Sequence, residues 1–402
     1  PVGQSGTPLA KHTIVGAHSA AGKLIMNLHC PLQLSHEWTK TAILTPIFRF
    51  RWPARMIRLF LAIVMASCSA FSQSAWAAHA FSLYDTPKYP PGFSHFDYFN
   101  PDARKGGDLY LANPDSRTSF DKFNPFSMKG VAAAGVANLM FETLAVNSAD
   151  EVATMYGLLA EDMVLAPDRL SMTFRLHPQA RFNNGDAVLA DDVKYSFDTL
   201  VAKGAPQFKM IFADVKQCVT LDARSVRFDF KSANRELPLI VGGMPVFSRK
   251  WAAGVAFDKI QLTPPVSSGP YLIERFEVGR AISFKRNPQY WGNDLPVRKG
   301  SFNFNRILYR FYKDDVARLE AFMAGEFDVV VEYRAKNWAR AYKGPKFTNG
   351  ELIKTTLKHA NGAGMQGFVM NLRRPQFQDV RVRRALGLAL DFESLIPSFE
   401  WR

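Results

Sequence analysis

Cysteine is nearly absent. Cys30, Cys68 and Cys218 are the three in 402 residues, too few for a disulfide framework and at no spacing that suits zinc. Histidine is also thin. Beyond residue 77 only His79, His95, His177 and His359 occur, and none stands at i, i+4 from another as a helical metal site requires. Charged residues make up 21% of the chain against 47% hydrophobic and 13% aromatic, a balance that excludes wholesale disorder. No internal repeat, low-complexity tract or series of long apolar runs occurs, so collagen, coiled coil and polytopic membrane protein are all excluded. The length predicts two or three domains with ample material for a core.

Catalytic signatures are missing too. There is no G-x-S-x-G elbow, no G-x-x-x-x-G-K-S/T loop and no H-E-x-x-H. One G-x-G-x-x-G runs from Gly362 to Gly367, but it leads into an apolar stretch rather than opening a helix, so it reads as a flexible connection. The acidic pairs Asp191/Asp192 and Asp314/Asp315 read as helix starts favoured by the dipole, not as acid–base dyads. Nothing in the chain asks for catalysis or a cofactor.

What is present begins with a targeting segment set unusually far inside the chain. From Met56 the sequence runs Met-Ile-Arg, then apolar from Leu59 to Ala66, then small residues to Ala75-Trp76-Ala77. A positive start, an apolar run too short to span a bilayer and an A-x-A site predict a cleavable secretory signal over 56–77, cut between Ala77 and Ala78. Residues 1–55 then read as upstream sequence, with Met56 the true start. Removing the seven basic residues and one acidic residue of 1–77 from the chain's 50 and 36 leaves 43 and 35, a net +8. Those charges are interspersed, which needs no nucleic-acid partner. The cluster Arg373, Arg374, Arg381, Arg383 and Arg384 reads as a solvated helix face.

Strand and helix signals alternate irregularly thereafter. Leu170, Met172, Phe174 and Leu176 alternate with polar residues, as do Val226, Phe228 and Phe230. Asn183-Asn184-Gly185-Asp186 is a turn. Asp191 and Asp192 open a helix with Val193, Phe197 and Leu200 inward. Short strands follow at Ile282 and Phe284, and at Ile307, Tyr309 and Phe311. A helix from Asp314 to Gly325 places Val316, Leu319 and Met323 inward, and Phe327 to Val331 is a strand. Gly367 to Leu372 reads as a further strand. Asp379 then caps a helix with Val382, Ala385, Leu386, Ala389 and Leu390 on one face. The pattern lacks a strict βαβ rhythm and gives a mixed α/β architecture. That last apolar face needs a partner, and nothing downstream of it supplies one.

Several segments together carry a resemblance. Leu159-Ala-Glu-Asp162, Leu170 to Leu176, Phe182-Asn-Asn-Gly-Asp186 and Ala190 to Phe197 resemble the signature of bacterial extracellular solute-binding proteins of family 5. Ser267-Ser-Gly-Pro-Tyr-Leu272 is similar to that family's G-x-G-P-Y-x-L strand, with Ser267 in place of the first Gly. Arg286 to Trp291 is similar to its R-N-P-x-Y-W loop, and Arg318 to Asp328 and Phe377 to Leu386 match in order and spacing. The resemblance runs from about Phe81 to Phe392. Asp85 to Tyr98 and Asn113 to Pro125 are most similar to the branch associated with peptide and microcin uptake.

The resemblance implies a type II-like periplasmic binding protein fold of two lobes around a cleft. On that template 80–125 and 257–364 form the core of lobe one, and 126–256 its inserted subdomain. Residues 365–402 begin a lobe two that is largely missing. The implied function is delivery of oligopeptides, peptide antibiotics of the microcin type among them, to an inner-membrane ABC permease and its ATPase. The protein would be a periplasmic monomer, without cofactor or enzymatic activity. The cleft-lining loop falls on Lys129, Gly130 and Val131, just before a helix expected over 132–146. Gly130 permits close backbone approach, and Lys129 suits a peptide carboxylate or acidic side chain. Phe208 or Phe212 could wall a pocket, although aromatics of this kind usually belong to the core. The alternatives are an exported peptide or cell-wall hydrolase, or a nickel or haem binder of the same family.

Overall fold

The computed structural model describes residues 12–17, 78–114, 119–361 and 367–391. The expected signal segment, Ala77 and most of Gly362–Gly367 lie outside the described residues. Residues 1–19 and 77–402 cluster as one unit and 20–76 as another; the described residues all belong to the first.

Two sheets dominate. The larger has seven strands in the order Tyr271–Glu277, Ala281–Arg286, Arg306–Arg310, Asp108–Ala112, Val329–Glu332, His12–Ala17 and Leu352–Leu357. The first three pair antiparallel and the rest parallel. The smaller sheet is antiparallel, ordered Ala160–Leu165, Ser171–Leu176, Ser225–Phe230 and Val215–Thr220, with a crossover that carries the chain past the third position to the edge before it returns.

The alternation read from sequence explains this second sheet. Met172, Phe174 and Leu176 face the core on one strand, and Val226, Phe228 and Phe230 on its neighbour. Phe174 meets Phe228 edge-on at 5.8 Å. The helix Ala190–Lys203 covers that face through Val193, Phe197 and Leu200, all buried. Burying such side chains stabilises by about 1.5–3 kcal/mol each. One hydrophobic cluster runs from Phe174 and Phe228 to Tyr271, Ile282 and Phe284 of the large sheet, so both sheets share a core. A second cluster around Phe322, Phe327 and Tyr342 supports the parallel end of the large sheet.

Four expectations differ from the structure. Leu170, read as sharing an inward face with Met172, Phe174 and Leu176, precedes the strand Ser171–Leu176 and is exposed. The helix expected over 132–146 is confined to Val136–Met140. Phe141 turns extended, Glu142–Thr143 then pairs with Pro245–Val246, and Ala145–Asn147 pairs with Thr154–Gly157. Strand partners distant in sequence outcompete a local helical pattern. Val316 is exposed rather than inward, and Ala321 and Phe322 are the buried residues of the helix Asp315–Ala324; that helix is capped by Asp314 and ends at Gly325 in left-handed conformation, as expected. Residues 367–372 form no strand, with Phe368 and Val369 almost fully exposed. A strand needs a neighbour to satisfy its backbone groups, and none of the described strands stands beside this segment.

The helix Val380–Ala389 does form, and the Asp379 carboxylate accepts from the Arg381 amide at 2.8 Å. It buries none of its residues. The apolar stripe read from sequence faces solvent.

Candidate functional site

The loop holding Lys129, Gly130 and Val131 is closed at its neck by backbone pairing. Asp121 N–H donates to the Val131 carbonyl at 3.0 Å, and Ala133 N–H to the Lys122 carbonyl at 2.9 Å. The Asp121 carboxylate accepts from Val131 N–H at 2.7 Å. Asn124, fully buried, fixes the far side by donating to the Phe257 carbonyl and accepting from Phe126 N–H. This is a compact, internally packed surface loop.

Its interior contains an ammonium group. Lys122 is only 4% exposed, and its Nζ donates to the Ser127 carbonyl at 2.6 Å, Ser127 Oγ at 2.9 Å and the Lys129 carbonyl at 2.5 Å. Three donors meet three acceptors, which is how a buried charge is made tolerable. Burial pushes the Lys122 ammonium below its usual value, and the nearby Asp121 charge offsets that in part.

Gly130 is required at its position for two reasons. Its φ is +83°, and a Cβ there would overlap the Asp121 carboxylate. The residue is exposed, and among the described residues neither its N–H nor its carbonyl takes a protein partner. Lys129 is exposed beside it, and Val131 is half-buried.

Phe208 reaches the base of this loop. Ala205 N–H donates to the Phe126 carbonyl at 2.7 Å, and the Phe208 ring lies 6.1 Å from that of Phe126. Phe208 is half-buried against the main core, whereas Phe212 is fully part of it. The structure thus brings Phe208 to the loop through an aromatic neighbour rather than beside Lys129 or Gly130. Ala78, the residue after the expected cleavage point, is tied to Met163 by a backbone bridge.

The R-N-P-x-Y-W segment acquires a physical role. Glu142 is buried at 1% exposure and accepts from the Tyr290 hydroxyl and from Trp291 Nε1, the latter at 2.9 Å. Arg298 lies 3.6 Å away. Burial raises the Glu142 pKa, against the opposing pull of Arg298, Tyr290 and Trp291. Gly269 packs so closely on the Met140 backbone that a Cβ would overlap it, which accounts for glycine in Ser267-Ser-Gly-Pro-Tyr-Leu272. Both motifs fasten the Met140–Thr143 region to the large sheet.

Sequence reasoning missed Lys122 and Glu142. A lysine beside aspartate reads as a solvated charge, and a lone glutamate carries no sign of partners far along the chain. Among the described residues no group of three or more His, Cys, Asp and Glu could hold a metal ion. No helix of the described residues is long and apolar enough to cross a membrane.

A mixed sheet sharing its core with an antiparallel subdomain, and offering a closed surface loop, defines a class of fold. It is that of the type II periplasmic binding proteins. The oligopeptide-binding protein AppA from Bacillus subtilis, solved with a nonapeptide, superposes with a TM-score of 0.53 at 18% identity, over 73% of this chain and 55% of that one. DppA from Helicobacter pylori, solved with the peptide STSA, gives 0.50 at 20% identity, over 60% and 50%. The profile of bacterial extracellular solute-binding proteins, family 5 Middle, matches residues 154–399. The chain belongs to this family of solute-binding proteins.

Among curated relatives, YejA of Escherichia coli, itself uncharacterized, is 35% identical over 341 residues, covering 84% of this chain and 55% of its own length. Two more come from Agrobacterium fabrum. One carries the name "Probable peptide-binding protein YejA", 35% identical over 83% of this chain and 55% of the relative. The other, "Peptidoglycan-binding protein YepA", is 36% identical over 79% and 54%. The chain spans about half the length of the curated relatives it matches.

Proposed function

We propose that this chain belongs to an exported, periplasmic peptide-binding component of an ABC importer, with Lys129, Gly130 and Val131 on the wall that meets the ligand and Phe208 supporting that wall from behind. The carrying observation is Gly130: an exposed glycine whose backbone donor and acceptor are unclaimed among the described residues, on a loop otherwise closed and filled. A peptide main chain pairs with such groups whatever its side chains, and Lys129 adds attraction for a carboxylate. The Agrobacterium relative named for peptide binding supports the reading. In this reading the cargo, peptide antibiotics of the microcin type included, is delivered to an inner-membrane permease and its ATPase, and the protein acts as a monomer without cofactor; membership of the solute-binding family supports it.

A relative named for peptidoglycan binding favours a second source of the same chemistry, peptides released from the cell wall. For the hydrolase reading, the described residues hold no group of three or more His, Cys, Asp and Glu that could bind a metal ion.

Amide-resolved NMR titration with unlabelled tri- to octapeptides, and separately with a muropeptide, tests the proposal. Shifts at Gly130 and Val131 are expected. Binding should be weak, because one wall encloses little of a ligand. Absence of shifts at this loop with either ligand, or cleavage of the added peptide, overturns it.

A further inference from the structure

We infer that Lys122 is the positioning residue of the ligand-facing loop, acting as an internal cation that folds the loop's carbonyls inward and leaves the Gly130 backbone turned out for a peptide; this rests on the function proposed above.

Without the ammonium the loop would lose its centre. The carbonyls of Ser127 and Lys129 and the Ser127 hydroxyl converge on one point, where Lys122 Nζ lies 2.5–2.9 Å from each. Three acceptors aimed inward at one point repel one another and, in a buried space, go unsatisfied unless a donor with three hydrogens sits between them. Ser127 is itself buried, at 7% exposure, so water cannot readily replace the ammonium there. A shared centre also couples the two carbonyls: movement at Ser127 is felt at Lys129. The residue after Lys129 is Gly130, already held from its far side by the bond from Val131 N–H to Asp121.

The consequence is division of labour between two neighbouring lysines. Lys129 projects into solvent and is free to meet a ligand's carboxylate. Lys122 touches no ligand; its ammonium is used up within the loop. Its positive charge nevertheless polarises the carbonyls of the segment leading to Gly130, and its three bonds remove the freedom the loop would otherwise lose on binding. Pre-ordering of this kind improves affinity without adding a contact.

Lys122→Met in the full chain keeps the aliphatic stem and removes the three donors. Hydrogen exchange of residues 127–132 should rise by at least about tenfold, as expected for losing charge-assisted bonds. Protection in Ser171–Leu176 and Ser225–Phe230 should stay at the wild-type level, and the peptide-induced shifts at Gly130 and Val131 should be lost. Ser127→Ala, which removes one acceptor and keeps the ammonium, should show the same changes on a smaller scale and carries the test if Lys122→Met does not fold. Unchanged loop exchange in a folded variant overturns the inference, and so does a loosened loop that still responds to peptide like the wild type. A wild-type chain that ignores peptides while Lys122→Met still loosens the loop refutes the peptide reading alone, since the exchange measurement needs no ligand.

Discussion

At the scale of the residue, the structure depends on a few buried polar groups whose partners lie far away in sequence. Glu142 is the clearest. Replacing it with Ala leaves Arg298 facing an empty site and strands the donors of Tyr290 and Trp291. Removing one partner of a buried charged cluster costs about 3–5 kcal/mol, so the urea midpoint of Glu142→Ala should fall clearly. Glu142→Gln, which keeps the shape and one acceptor, should fall less; equal losses would show that the lost charge rather than cavity formation sets the cost. Asp150 gives a pH dependence of definite sign. Burial alone would raise its pKa, but bonds from Lys88, Ser148 and Tyr89 outweigh that and hold it below the usual carboxylate value. A depressed folded-state pKa stabilises above the unfolded value, near about 3.9, and that stabilisation is lost as pH falls through the folded value. Denaturation midpoints of Asp150→Asn and the wild type should therefore differ at pH 6 and converge in strong acid. A difference that persists unchanged would assign Asp150 a role independent of its charge.

At the scale of the element, what could be read from sequence was whatever is fixed by one face against one core. The strands Ser171–Leu176 and Ser225–Phe230 alternate because only one side is buried, and the helix Ala190–Lys203 starts where its aspartates suggest. The 132–146 stretch misled because Val136, Leu139 and Met140 follow a helical spacing for one turn only. The pairing of Glu142–Thr143 with Pro245–Val246 is not written locally. The loop position of Lys129 came from family resemblance, and the cage around Lys122 came from neither resemblance nor pattern. Nothing in the local pattern marked the strand His12–Ala17, which runs parallel between Val329–Glu332 and Leu352–Leu357, with Thr13 opposite both Val329 and Ile353. If export removes residues 1–77, as the sequence predicts, Leu352–Leu357 loses the strand that it pairs with among the described residues. Amide exchange in Leu352–Leu357 should then be markedly faster in a chain starting at Ala78 than in the full chain, while Ala281–Arg286 keeps its protection. Equal rates would mean that the two flanking strands close up and pair directly.

At the scale of the whole molecule, the described residues divide into a well-packed body and a flank that contributes nothing to it. Phe120, Phe174, Tyr271 and Phe284 are buried to within a few per cent of completely. Across 367–390, by contrast, Phe368, Val369 and Leu388 are at least 86% exposed, and Val382, Leu386 and Leu390 are between 38% and 46% exposed. Stability and apolar surface are therefore set by different parts of the chain and should respond to different substitutions. Val382→Ser combined with Leu386→Ser removes apolar area that is already in water, so the loss of folding free energy should stay within about 0.5 kcal/mol, as for surface changes elsewhere. The same pair should reduce binding of a hydrophobic dye and any concentration-dependent association, because exposed apolar patches of this kind drive both. Thermal unfolding, dye fluorescence and sedimentation on the paired variant and the wild type separate the two effects. A fall in melting temperature comparable to that of a core substitution such as Phe228→Ala would place the helix Val380–Ala389 against the body after all, and would make its apolar face part of the fold rather than a surface awaiting a partner.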